Sequence, residues 1–121
     1  MPVKKKKPQL IACEKDLGEG KTIKFPFRRD GVKQEGVLLR WKGEVMAFEN
    51  KCQHLPLPLD YGDNRFFTTD GKFLVCQTHW AIYQPDTGLC VQGPCQGASL
   101  KKLSLEFAQG KIWLVEPEDT F

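Results

Sequence analysis

Two short motifs in this 121-residue chain carry ligand chemistry: Cys52-Gln-His54 and, with 21 residues between them, Cys76-Gln-Thr-His79. They contain both of the chain's histidines. In extended backbone, residues two apart point the same way, so Cys52 and His54 can face one centre. A three-residue offset brings Cys76 and His79 together across one tight turn. Two thiolates and two neutral imidazoles suit zinc or an iron–sulfur centre. Zinc sites more often pair like with like than mix one cysteine with one histidine in each arm, which favours the iron–sulfur reading. The remaining cysteines are Cys13, Cys90 and Cys95. An odd total of five, with no apolar secretory segment after the basic N-terminus, argues against a disulfide framework and for a reducing, cytoplasmic setting.

The elements that must hold these motifs read as short strands. Leu10–Ala12, Thr22–Phe25, Gly36–Lys42, Val45–Phe48, Arg65–Thr69, Lys72–Val75, Ile82–Gln84, Leu89–Val91, Leu103–Phe107 and Lys111–Val115 are rich in β-formers and bounded by turn residues. Gly43-Glu44, Asp70-Gly71 and Gln109-Gly110 mark hairpin turns, with Asp-Gly predicting a tight two-residue connection. Eight prolines and eleven glycines spread along the chain leave no room for a long helix. An all-β antiparallel sandwich or small barrel follows. Both ligand pairs come directly after strands, where a β-scaffold presents loops rigidly. Leu55-Pro-Leu-Pro-Leu59 reads as an extended loop. Cys13 is expected to be a buried small residue in the first strand, Cys90 an inward strand residue and Cys95 a loop residue. A disulfide between the last two stays open beside free thiols. Trp41 and Trp113 are assigned to packing.

Charge and hydropathy exclude several classes of function. Four of the 18 basic residues are Lys4–Lys7, so residues 8–121 carry 14 basic against 15 acidic side chains. The near-neutral remainder offers no field for nucleic acid. Residues 1–7 read as a disordered basic tail and 8–121 as one domain. No apolar run approaches the ~20 residues that a membrane-spanning helix needs. A Gly-rich nucleotide fingerprint is absent, so hydride chemistry with a nicotinamide is not expected.

The pattern Cys-x-His, an intervening segment, then Cys-x-x-His resembles the Rieske-type 2Fe-2S domain. The likeness continues in Tyr83-Gln-Pro-Asp-Thr-Gly88, in Gly93-Pro94 and in the closing hairpin Leu103–Val115. It implies one 2Fe-2S cluster, with Cys52 and Cys76 on one iron and His54 and His79 on the other. It also implies that both ligand loops lie at one tip of the β-fold. Pro94 would sit in the loop over the cluster, and Tyr83 would donate a hydrogen bond to a ligand sulfur. Some positions depart from the family. Trp80 stands where glycine usually follows the second histidine, and Ala81 stands where high-potential members carry serine. Leu57 and Thr78 occupy the places of their loop-bridging disulfide. Fewer donors to the sulfurs predict a potential in the low half of the roughly −150 to +300 mV spanned by Rieske centres. Trp80 is read either as shielding the cluster or meeting a partner, or as core packing. Leu55, Pro56, Leu57 and Pro58 are read as an apolar docking collar or as loop residues that fix the backbone.

The resemblance implies a one-electron carrier of the Rieske ferredoxin kind, with no independent catalysis. It would pass electrons from a flavin-dependent reductase to a terminal oxygenase or similar enzyme. A small Rieske subunit of a larger oxidoreductase, such as nitrite reductase, is the alternative. A zinc-stabilised interaction module is a second. A Rieske oxygenase itself would need a further iron held by two more histidines and a carboxylate, and no histidine is left for it.

Overall fold

Val37-Leu-Leu39 is an unbroken apolar run, which suits a strand covered on both faces better than one with a wet side. A computed structural model describes residues 8–29, 31–53, 57–60, 62–77 and 80–115. Among these residues there is no α-helix, and all sheets are antiparallel. The strands are β1 (Gln9–Cys13), β2 (Thr22–Arg29), β3 (Val32–Trp41), β4 (Glu44–Glu49), β5 (Leu74–Val75), β6 (Ile82–Tyr83), β7 (Cys90–Gln92), β8 (Lys102–Leu103), β9 (Leu105–Ala108) and β10 (Lys111–Leu114). A single 3-10 turn, Glu14–Asp16, follows β1.

Among the described residues three sheets form, with strand orders β1-β10-β9, β2-β3-β4-β8 and β5-β6-β7. The four-stranded sheet feeds two cores. Val37, Leu39, Met46 and Phe48 join the core that contains Cys52, Cys76 and Tyr83. Leu38 and Ala47, on the opposite face by the two-residue period, join Phe25, Phe27, Leu103, Ile112 and Leu114. The continuous run in β3 is therefore apolar because both faces are covered. Pro26 is tolerated because β2 is an edge strand. At Gly36, opposite Phe25, a Cβ would fall 2.3 Å from the Phe25 Cζ, so the aromatic ring occupies the space a side chain would take.

The all-β expectation holds, while several boundaries move. The β3–β4 turn is Lys42-Gly43, one residue earlier than expected, with φ of 51° and 79° as a two-residue hairpin turn demands. Gln109-Gly110 turns as expected, between Ala108 and Lys111. Asp70-Gly71 does not make a two-residue connection. Thr68 N donates to Phe73 O at 2.8 Å, leaving residues 69–72 between them, and Asp70 spends its carboxylate on the Lys72 N–H. The expected strand Leu103–Phe107 is split at Ser104, because Leu103 pairs with Ala47 while Leu105 pairs with Leu114. One segment thereby serves two sheets. Cys13 is half-buried at the end of β1, not enclosed. Trp41 and Trp113 are also half-buried, and the Trp41 indole donates to Gly71 O. The proposed tail, residues 1–7, lies outside the described residues. Among the described residues, no helix is long and apolar enough to cross a membrane.

Candidate functional site

The loop that carries Cys52 opens where β4 ends. Cys52 N donates to Leu57 O at 2.7 Å, which ties the two residues together. His54, Leu55 and Pro56 lie outside the described residues. Just beyond the loop, Leu59 is buried while Leu57 and Pro58 are exposed. The base of the loop rests on a buried polar cluster. Asn50 Oδ1 accepts from Leu59 N at 2.9 Å, and its amide donates to Glu35 Oε1 at 2.7 Å and to Asp60 Oδ1 at 3.3 Å. Asp60 Oδ2 accepts from Lys24 Nζ at 3.0 Å and from Asn64 N at 2.9 Å. Burial alone would raise the Asp60 pKa, but Lys24, the Asn64 N–H and the Asn50 amide outweigh it and hold the carboxyl below its ordinary value. Lys24 moves the other way, raised first by its hydrogen bond to Asp60.

The second loop follows β5. Cys76 N donates to Ala81 O at 2.8 Å and Trp80 N to Cys76 O at 2.7 Å, which ties Cys76 to Trp80 and Ala81. Thr78 and His79 lie outside the described residues. Gln77 N donates to Leu59 O at 2.9 Å, which ties this loop to the end of the first. A third segment leans on the pair: a Cβ at Gly93 would fall 2.9 Å from Ala81 Cα, and Gly93 has φ +109°. Only glycine permits that approach, and it sets exposed Pro94 beside the second loop.

Tyr83 links these parts. It pairs with Leu74 and Cys90 across the β5-β6-β7 sheet, and its side chain is fully buried. Its hydroxyl lies 3.5 Å from Cys52 Sγ and 3.1 Å from Cys95 Sγ, and accepts from Gln53 N at 3.0 Å. Burial, then the contacts with Cys52 and Cys95, push its pKa well above the usual phenol range. The sequence reading placed Tyr83 at a ligand sulfur but missed the Cys95 contact. That contact depends on how the 93–97 loop returns, which strand patterning does not report.

Cys52 and Cys76 are both buried and unbridged, in one core with Leu59, Phe66, Leu74 and Ala81. A thiolate in such apolar surroundings is disfavoured until a metal ion supplies the opposing charge. Two such sulfurs on tied loops, one touched by a phenol, fit thiolate ligation of an iron–sulfur centre. Among the described residues alone no group of three histidine, cysteine, aspartate or glutamate side chains is poised for a metal ion, and both histidines fall outside them.

The profile of the Rieske 2Fe-2S domain matches residues 7–107. The chain belongs to the Rieske 2Fe-2S domain family. The Rieske domain binds a 2Fe-2S cluster. No curated protein matches the sequence. Solved structures share its fold. The ferredoxin of carbazole 1,9a-dioxygenase from Nocardioides aromaticivorans IC177 is 23% identical with a TM-score of 0.66, over 93% of this chain and 100% of that one. A complex of reduced oxygenase and oxidized ferredoxin in carbazole 1,9a-dioxygenase gives 20% identity and a TM-score of 0.70, over 94% and 97%. The terminal oxygenase of carbazole 1,9a-dioxygenase from the same Nocardioides strain gives 24% and 0.69 over 88% of this chain, which spans only 29% of that chain.

Within this Rieske domain Trp80 is not a core residue. It is 68% exposed and has φ +58°, a left-handed conformation that costs a bulky side chain roughly 1–2 kcal/mol. That geometry gives a physical reason for glycine as the family's usual residue here. Trp80→Gly is expected to stabilise the fold by about 0.5–1 kcal/mol, since little packing is lost and glycine's extra unfolded-state entropy offsets part of the relief. Urea melts of the two proteins check this. A less stable variant would mean that Trp80 packs more tightly than its exposure indicates.

Proposed function

We propose that this Rieske domain is a one-electron carrier, taking electrons from a flavin-dependent reductase and delivering them to a terminal oxygenase or similar enzyme. In this reading Cys52 and Cys76 bind one iron and His54 and His79 the other, and residues 8–121 act as a single domain without catalysis of its own. The observation that carries it is the placement of buried Cys52 and Cys76 on two loops joined by the Gln77–Leu59 hydrogen bond. When bound, the cluster supplies a one-electron redox centre.

The chain's own residues then have distinct tasks. Leu59, Phe66, Leu74 and Ala81 keep water from the cysteine side. Tyr83 donates to the Cys52 thiolate, stabilising added negative charge, while Ala81 offers no hydroxyl for that purpose. With one donor in place and another missing, the potential falls in the low half of the Rieske range. Exposed Leu57, Pro58 and Trp80 flank the two loops and supply an apolar surface for a partner. The fold likeness to the ferredoxin of carbazole 1,9a-dioxygenase supports a carrier. The complex of an oxygenase with its ferredoxin supports an oxygenase as acceptor. Five unbridged cysteines suit the cytoplasm.

The test is EPR of anaerobically purified, dithionite-reduced protein, with iron and acid-labile sulfide counted on the same sample. The expected result is a rhombic signal with mean g below the free-electron value and about two irons per chain, the 2Fe-2S stoichiometry. Stoichiometric zinc with no signal would make the protein a structural metal module.

A further inference from the structure

We propose that Cys90 and Cys95 are a redox-modification site, a resident dithiol that closes to an intramolecular disulfide by exchange with a low-molecular-weight disulfide. Their sulfurs lie 3.2 Å apart. Cys90 is buried in β7, and Cys95 sits half-buried in the loop that follows. The backbone fixes the pair: Gly97 N donates to Cys90 O at 3.0 Å, Cys90 N to Ala98 O at 2.8 Å and Ala98 N to Cys95 O at 2.9 Å. Disulfide bonds measure about 2.05 Å, so closure asks the sulfurs to approach by about 1 Å.

The exchange balances without any other reactant. Cys95, the half-buried member of the pair, gives up its proton to solvent and attacks one sulfur of the small disulfide. That S–S bond breaks, one small thiolate leaves, and a mixed disulfide remains on Cys95. Cys90 then loses its proton and attacks Cys95 Sγ, releasing the second small thiol. Two cysteine thiols are oxidised by two electrons, and one small disulfide is reduced to two thiols. Burial, then the neighbouring Cys95, push the Cys90 thiol up to about 11, which leaves Cys95 as the entering group.

The closure is felt at Cys52 through Tyr83, a consequence that rests on the ligand assignment above. In the dithiol, Cys95 donates to Cys90 Sγ and Cys90 donates to Gln92 O at 3.3 Å. Cys95 sulfur is thus left to accept from the Tyr83 hydroxyl in competition with Cys52. Drawing that sulfur into a bond with Cys90 leaves the phenolic proton to Cys52 Sγ. A fuller hydrogen bond there favours the reduced state and raises the potential.

The experiment equilibrates the cluster-bearing protein anaerobically in buffers of reduced and oxidised glutathione, then alkylates and digests it. Tryptic peptide 73–101 carries Cys76, Cys90 and Cys95. It is expected to lack two hydrogens and to be alkylated only at Cys76 in the oxidised buffers, and to revert in the reduced ones. Cys95→Ala is expected to keep Cys90 fully alkylatable. A lasting glutathione adduct on Cys95 with Cys90 alkylated, or alkylation of both under oxidising conditions, would overturn the site. The midpoint potential of the disulfide form is expected to lie above that of the dithiol form, with the rise lost in Tyr83→Phe. Disulfide formation at unchanged potential would sink the link through Tyr83. Iron and sulfide counts on the same samples separate the two readings, because a missing cluster defeats the electron carrier while the peptide still decides the dithiol.

Discussion

Asp60→Ala is expected to lose about 3 kcal/mol of stability and to release its iron far faster than the parent protein. The carboxylate is enclosed, with 1% of its side chain accessible, and takes hydrogen bonds from Lys24, Asn64 N and Asn50. Removing one partner from a buried charged cluster costs roughly 3–5 kcal/mol. The lower end applies because Lys24 is 26% accessible and can turn to water. The lesion spreads to the site because Asn50 also holds Leu59 N, and Leu59 O holds Gln77 N in the second loop. Urea denaturation measures the first effect, and chelator-driven loss of the cluster's visible absorption measures the second. Unchanged chelation kinetics would mean that the loops are held independently of Asp60.

The same group sets a pH dependence. Its folded pKa lies below the unfolded one, so its contribution is present above the unfolded carboxyl value of about 3.9 and is lost as pH falls through the folded value. Glu49 follows the same sign. Burial opposes its charge, but Arg29 and Lys51 outweigh burial. Acidification below about pH 4 should therefore cost the parent more stability than it costs Asp60→Ala.

Cys76→Ala is expected to abolish 2Fe-2S binding while leaving a folded chain. Cys76 is fully buried, so the lost sulfur costs about 1–2 kcal/mol in cavity and contacts, well within what a domain of this size tolerates. On the proposed assignment the loss is different in kind, because no other cysteine on the two loops could take the place of Cys76. Cys95→Ala, which removes a cysteine not assigned as a ligand, should retain full iron and sulfide. Iron, sulfide and the visible spectrum compare the two directly. A Cys76→Ala protein with two irons per chain would show that the assignment of Cys76 is wrong.

The family was legible in the linear order of residues, and the proposed ligand pattern rests on the same order, because metal ligation depends on residue type and short spacing. Strand alternation and the Gln109-Gly110 turn were legible for the same reason: each is fixed within a few residues. Boundaries set by longer-range competition were not. The Asp70-Gly71 pair looked like a two-residue turn, yet the Thr68–Phe73 closure widened it, and Ser104 divides a pattern that reads as one strand because its halves join different sheets. Trp80 illustrates the limit from the other side, since nothing in an aromatic residue's identity announces left-handed backbone and exposure. It takes the folded chain to show that Asp60 and Lys24, 36 residues apart, prop the first loop, and that Tyr83 stands between Cys52 and the Cys90–Cys95 pair. Hydrogen bonds between distant side chains depend on how sheets pack and loops return, and those are settled by burial over the whole chain.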